Sequence, residues 1–233
     1  MYCVPELHPM GGAVSKLVRS DDWPYVAAIR DPEVLDWKEF IKAETEVERR
    51  SEILRLQKLQ FDLPVKISDG LYLSNADGAT RIDRLRELGI SHVLNLAGRA
   101  GSLTHDEAYE NAGIQLLVIE AEDEENYPML HNHLKKSECF IKEAKEGGGA
   151  CLVHCLAGIN RSGVIVAAYK MMSERMNVLD VVLHCRRQRG NVFLSTNEGF
   201  QRQLVALARR EGLLGPTPTV LNRRCQTVVL LSH

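Results

Sequence analysis

The stretch Ala150-Cys151-Leu152-Val153-His154-Cys155-Leu156-Ala157-Gly158-Ile159-Asn160-Arg161-Ser162-Gly163 constrains this chain more than any other. A short apolar run, Ala150 to Val153, leads into it, and a helix-forming run, Val164 to Met172, leads out. Strand, tight loop and helix start, in that order, place backbone N–H groups around whatever sits at the helix N-terminus, which suits a phosphate dianion. Cys155 stands at the mouth of the loop and Arg161 closes it. A cysteine beside a helix N-terminus and a fixed guanidinium is held as thiolate, a strong nucleophile at neutral pH. Arg161 offers a planar fork matched to two phosphoryl oxygens. Leu156, Ala157, Gly158, Ile159 and Asn160 complete the phosphate-binding loop with Arg161, and Gly158 lets the backbone turn where a Cβ would obstruct it. Ser162 can donate its hydroxyl proton to the sulfur and so help it leave in a second, hydrolytic step. His154 orders the loop by hydrogen bonding; it is not needed as a base, because a thiolate needs none. The competing reading is a redox or structural cysteine in a turn. The residues before, within and after the loop all agree on the first reading.

The signature Cys-x5-Arg-Ser after a His resembles that of the cysteine-dependent protein phosphatases, and its surroundings resemble the dual-specificity branch, over roughly residues 61–211. By that resemblance the chain is an atypical, small member of the family with a protein tyrosine phosphatase-like fold.

Size and composition set bounds. With 233 residues, 45% of them hydrophobic, one domain with extensions is expected: an N-terminal arm and helical extension over 1–60, a catalytic domain over 61–212 and a flexible tail over 213–233. A formal net charge of −2 gives no global pull toward nucleic acid or acidic membranes, so neither is expected as a partner. The six cysteines form no C-x-x-C pair and read as free thiols in a reducing compartment, one of them catalytic. Cys and His show no zinc-ligand spacing, and no metal or other cofactor is expected. The N-terminus lacks a basic region followed by an apolar run, and no apolar run is long enough to span a bilayer. The expected location is the cytoplasm, with the nucleus as the alternative.

Taken in order, residues 1–30 read as an irregular arm with a short helix around Ala13–Arg19. Asp31-Pro32-Glu33 opens a helix that runs to about Gln60, with a polar middle from Lys42 to Glu52. That helix is either a solvated element or break, or a docking arm through residues 31–60 for a partner or second copy. Asp69-Gly70 marks a hairpin between Val65–Ile67 and Leu71–Leu73. Helices are predicted over Arg81–Leu88, from a Thr104-x-x-Glu107 capping box to Gly113, and over Met129–Glu146, Ser162–Glu174, Val178–Arg189 and Asn197–Glu211. Strands are predicted over Ile90–Leu96, over Ile114–Ile119 as a strand buried on both faces, and over Ala150 to Val153. This alternation predicts an α/β fold with a mixed, mostly parallel central sheet flanked by helices, the site lying beyond the carboxyl end of a strand.

An alkoxide or phenoxide leaving group wants a proton, so a general acid must sit near the loop. The run Glu120-Ala121-Glu122-Asp123-Glu124-Glu125 leaves a strand predicted to neighbour the nucleophile strand. The family carries an Asp in an Ala-x-Asp context on this loop, and by that resemblance Asp123 is the acid in the first step and the base in the second. Crowding by like charges would favour its protonated form. Glu122 and Glu124 are its rivals. Arg186, Arg187 and Arg189 end helix Val178–Arg189, where cations complement the helix dipole; the family also places an Arg near this point beside the phosphate pocket, and by that resemblance Arg189 or Arg186 is the alternative candidate for a second phosphate. Asn197-Glu198-Gly199-Phe200 resembles the family's helix start, where Asn197 is an N-cap that supports the active-site loops. The family usually has Pro before this Asn; here it is Thr196. Cys151 or Cys139 is a candidate partner for a protective disulfide to Cys155, against five inert thiols as the alternative.

Charge within the signature bears on substrate. None of the five residues between Cys155 and Arg161 is charged, which disfavours an inositol phosphate head group. Phosphotyrosine and phosphoserine/threonine on a phosphoprotein are expected. RNA 5′-triphosphate, phosphoglucan, and non-catalytic binding by a pseudophosphatase are the alternatives.

Overall fold

The computed structural model describes residues 19–30, 47, 62–218, 221–222 and 227–228. Its sheet has the order β1-β2-β5-β3-β4, where β1 is Val65–Ser68, β2 Leu71–Ser74, β3 Ile90–Asn95, β4 Gln115–Val118 and β5 Ala150–His154. The first two strands form the predicted antiparallel hairpin, with Gly70 at φ +70° in its turn. The other three pairings are parallel.

Side-chain alternation decides what covers each face. Cys151, Val153 and Cys155 enter one apolar cluster, while Ala150 and Leu152 enter a second. The smaller cluster gathers α2 (Ala76–Ala79), α3 (Ile82–Glu87) and α4 (Asp106–Asn111) through Ala79, Leu85 and Tyr109. The larger one gathers α1 (Trp23–Arg30), α5 (Met129–Glu146), α6 (Arg161–Glu174), α7 (Val178–Arg189) and α8 (Glu198–Arg210). Strand β5 is buried along its whole length at the centre, and α6 starts at its carboxyl end beyond the signature loop. The predicted α/β architecture is therefore the observed one.

Four local expectations are corrected. The strand after Gly113 is an edge strand, paired among the described residues with β3 alone: Leu117 and Ile119 face the larger cluster and Ile114 and Leu116 the smaller, so both faces are covered, but the open edge leaves the strand itself only partly buried. For the same reason the acidic run does not leave a neighbour of the nucleophile strand, since β3 lies between β4 and β5. No capping box forms at Thr104: α4 starts at Asp106, with His105 at its N-cap and no side-chain capping bond. Residues 1–30 are not irregular throughout, because α1 is helical and buries Tyr25, Val26 and Ile29.

That helix is tied down by polar contacts as well. Arg209 Nε donates to the buried Asp22 carboxylate at 2.7 Å, and the Tyr25 hydroxyl donates to Gly215 O at 2.9 Å. In the tail, Leu221–Asn222 pairs with Thr227–Val228 as a separate antiparallel pair. The helices predicted over Ala13–Arg19 and from Asp31 to about Gln60 lie outside the described residues, Arg19 and residue 47 apart.

Candidate active site

The signature loop is shaped by where its carbonyls go. Leu156 O accepts from Ala76 N at 3.1 Å, and Ile159 O accepts from Leu194 N at 3.1 Å. Arg189 takes the two between them: its Nη2 donates to Ala157 O and its Nε to Gly158 O, both at 3.2 Å. Four successive carbonyls thus point outward to α2, α7 and the loop before α8. In a planar trans peptide the N–H opposes the C=O, so the amides of residues 157–160 turn the other way, into the loop. Gly158 makes the turn at φ +66°, and a Cβ there would stand 2.5 Å from Ser74 O.

Helix α6 begins directly beyond. Its N-cap, Asn160, makes no capping bond; its Nδ2 donates instead to Thr196 Oγ1 at 2.8 Å. The first amides of α6 therefore remain for an anion, with the helix dipole behind them. Thr196, where the family pattern has Pro, is here the partner of a loop residue.

Cys155 lies at the floor, 1% exposed, with Sγ 3.2 Å from the Ser162 hydroxyl. Arg161 is held by its Nη1, which donates to Ala121 O at 3.1 Å and Leu96 O at 3.3 Å. Its Nε is a buried donor without a hydrogen-bond partner, 3.6 Å from Asp123 Oδ2. Asp123 Oδ1 accepts from Asn197 Nδ2 at 2.9 Å, while Asn197 Oδ1 caps α8 by accepting from Phe200 N at 3.0 Å. One asparagine thus fixes the start of α8 and the position of Asp123. His154 is buried, and burial pushes its imidazole down to about 4, partly offset by the Cys155 carbonyl 3.4 Å from Nδ1. A neutral ring facing a backbone carbonyl matches an ordering role and no acid-base one.

Two arginines at the end of α7 turn to backbone carbonyls. Arg189 is buried and braces the signature loop from behind. Arg186, also buried, donates to Phe193 O at 3.3 Å and to Ile29 O, linking α1 to the loop before α8. Both guanidiniums donate to backbone carbonyls. Cys151 is likewise buried, and burial raises its thiol far above the ordinary range, while Cys185 is pushed up to about 12. Neither is poised for thiolate chemistry.

Comparison with known proteins agrees with this geometry. The family described as "Dual specificity phosphatase, catalytic domain" matches residues 71–210. The chain belongs to this family. The mouse dual specificity protein phosphatase 26 is 39% identical over 142 residues, covering 60% of this chain and 65% of that protein. Human dual specificity protein phosphatase 22 is 36% identical over 146 residues, covering 63% of this chain and 74% of that protein. The crystal structure of DUSP15 superposes with a TM-score of 0.54 at 31% identity over 64% of this chain and 90% of that one. Human DUSP28, at 22% identity and a TM-score of 0.57 over 65% of this chain and 97% of that one, shares the fold. The chain's match thus spans just under two thirds of the first of these relatives.

Within this dual-specificity phosphatase framework, the structure brings Cys155, Arg161, Ser162, Asp123 and Asn197 to one place, with Leu156 through Asn160 as the loop between them. Glu122 and Glu124 are exposed, with no ion pair among the described residues. Sequence reasoning missed Gly199, where a Cβ would stand 1.9 Å from Glu125 O, and Gln203, which receives Leu130 N and donates to Tyr127 O. Both hold the acidic loop against α8. The glycine was part of a recognised helix start; the glutamine carried no signal at all.

Proposed function

We propose that this chain hydrolyses phosphate monoesters on tyrosine and on serine or threonine of phosphoproteins, through a cysteinyl-phosphate intermediate. The observation that carries the reading is the outward turn of four successive carbonyls between Cys155 and Arg161, which aims a ring of amides at a space floored by one sulfur.

In the first step the Cys155 thiolate attacks phosphorus. The P–O bond to the substrate breaks as the P–S bond forms, and Asp123 gives its proton to the departing oxygen. The amides and the Arg161 Nε edge take up the charge that spreads over the phosphoryl oxygens. In the second step water attacks phosphorus, Asp123 takes its proton and the P–S bond breaks. Ser162, 3.2 Å from Sγ, donates a hydrogen bond that stabilises the departing thiolate. Inorganic phosphate leaves. The chain supplies the first nucleophile, water the second, and Asp123 carries the one proton that moves in each step.

Family membership and the absence of charge inside the signature support a phosphoprotein substrate over an inositol phosphate, and Asp123 with a formal net charge of −2 argues against an RNA triphosphate. No helix among the described residues is long and apolar enough to cross a membrane, and we place the chain in the cytoplasm or nucleus. The test is turnover of p-nitrophenyl phosphate and of a phosphopeptide panel, beside RNA 5′-triphosphate and phosphoglucan, by wild type and Cys155→Ser. Release of phosphate from phosphotyrosine and phosphothreonine peptides by wild type alone is expected. Arg161→Lys should fail too, because a point charge cannot replace the fork. Peptide binding without turnover in the wild type would make the chain a pseudophosphatase, and preference for RNA or glucan would move the substrate class.

A further inference from the structure

The acidic loop is closed at its base by a side chain that the reaction scheme has not used. Tyr127 ends the segment Glu120–Tyr127, and its hydroxyl donates back to Glu120 O at 3.2 Å, joining the two ends. The same hydroxyl lies 2.6 Å from Nε2 of His133 on α5, with the two rings stacked at 5.7 Å and 19°. Around this cinch the loop is fixed at every turn. Tyr127 N donates to Glu124 O at 3.0 Å, and Tyr127 O accepts from both Met129 N and Gln203 Nε2 at 2.8 Å. Ala121 O is on Arg161 and Asp123 is on Asn197.

A phenol has one proton and two neighbours here. If it is spent on His133, Glu120 O loses its hydrogen bond from this hydroxyl. If His133 carries its proton on Nε2, the imidazole donates to the phenol oxygen, and the phenol proton is free for Glu120 O. Only the second arrangement satisfies all three groups. We infer that Tyr127 and His133 form a directed relay, His133 Nε2–H to Tyr127 Oη–H to Glu120 O, that positions the loop carrying Asp123. Tyr127 is then a positioning residue for proton delivery, acting through the loop and not on the phosphate. Burial, with Lys136 nearby, lowers His133, which favours the neutral ring and so leaves a tautomer to choose.

This rests on Asp123 being the general acid, and the experiment separates the two. A leaving group that departs easily needs its proton less than a poor one. The readout is therefore the ratio of kcat/KM for p-nitrophenyl phosphate to that for phenyl phosphate, in the full chain. Asp123→Asn should raise this ratio most. Tyr127→Phe should raise it by about tenfold, at a Tm close to wild type, and His133→Phe should do the same. His133→Gln, which keeps a donor, should restore most of the wild-type ratio. A ratio unchanged in Tyr127→Phe but raised in Asp123→Asn overturns the relay alone; no change in Asp123→Asn overturns the acid and the relay with it. Nitrogen NMR of His133 in the wild type gives a reading that needs no turnover: an Nε2–H ring is expected, and an Nδ1–H ring overturns the relay even if Tyr127→Phe does not fold.

Discussion

The two loops that meet at the site are built by opposite means. Cys155 to Arg161 is a contiguous segment held by its backbone: its carbonyls are taken by Ala76, Arg189 and Leu194, and its termini are a buried strand and a buried helix. Glu120 to Tyr127 follows an edge strand and is held by side chains reaching in from other elements: Arg161 on α6, Asn197 and Gln203 on or before α8, and His133 on α5. The difference teaches where each function is vulnerable. The nucleophile's surroundings fail together, because moving one peptide moves the cradle. The acid's surroundings fail one hydrogen bond at a time, because each anchor is a separate side chain.

The contrast is broken most severely at its two centres. Asp123→Asn keeps a group that can accept from Asn197 but has no proton to give. Turnover should fall by about 10²–10⁴-fold. An acid that works only when protonated produces a limb that falls as pH rises, and that limb should disappear from the kcat/KM profile. Glu122→Gln and Glu124→Gln should stay near wild type; loss in either one, with Asp123→Asn active, would transfer the role. On the other side, Gly158→Ala puts a Cβ 2.5 Å from Ser74 O at φ +66°, where an L side chain costs about 1–2 kcal/mol before any overlap. Its cradle should tilt, and displacements of that kind cost on the order of 10²-fold in rate. Phosphate binding followed by calorimetry should weaken in Gly158→Ala and stay intact in Asp123→Asn.

The same contrast explains what could be read without coordinates. The signature loop was legible because its function depends on adjacent residues, and a strand, a turn glycine and a helix start all lie within one window. Helix α7 was read to the residue, and Asn197 as an N-cap, because caps and apolar periodicity are local. The acid loop's supports were not legible, since Tyr127 in an acidic run looks like a solvated aromatic until α5 folds against it. The carbonyl partners of Arg186 and Arg189 were hidden for a related reason: a basic helix end is consistent with solvent, a ligand or a backbone carbonyl, and the sequence does not say which. Strand β4 misled because an apolar run covered on both faces does not say whether the strand lies at the centre or the edge of its sheet. Helix α1 left a faint trace, with Asp21-Asp22 ahead of Pro24 and Arg30 at the end, the pattern of a short helix with complementary charges. Its stabilising pair, Asp22 with Arg209, spans 187 positions and has no local signature.

A finer cut falls on the residue that joins α8 to the acid. Asn197→Ala removes a cap and the hydrogen bond to Asp123, so stability should drop by about 1 kcal/mol and turnover by about tenfold. Asn197→Asp separates the two effects. Aspartate caps as well as asparagine, so urea unfolding should be nearly unchanged. It also sets a second carboxylate against Asp123, so turnover should fall at least as far as in the alanine variant. Equal loss of stability in both variants would mean that the bond to Asp123, and not the cap, carries the stability; unchanged turnover in Asn197→Asp would mean that the asparagine serves the helix alone.

The smallest effect on turnover, and the clearest on pH, belongs to His154, the last residue of β5. Its ring is buried and neutral, pushed down to about 4 from an unfolded value of 6.5, chiefly by burial. The sign follows from who takes the proton. Between pH 6.5 and about 4 the unfolded chain protonates this imidazole and the folded chain does not, so acid favours unfolding. The contribution is complete above the unfolded value, declines as pH falls through this window, and levels off below both values at a loss of about 3 kcal/mol. His154→Gln cannot titrate, so the difference in unfolding free energy between variant and wild type should shift in the variant's favour by that amount between neutral pH and pH about 4. Turnover at neutral pH should stay within a few-fold, because a ring that neither gives nor takes a proton in the reaction is needed for its shape. A parallel course of the two stability curves would mean that the ring charges inside the fold, and the wall behind Cys155 would then be cationic rather than neutral.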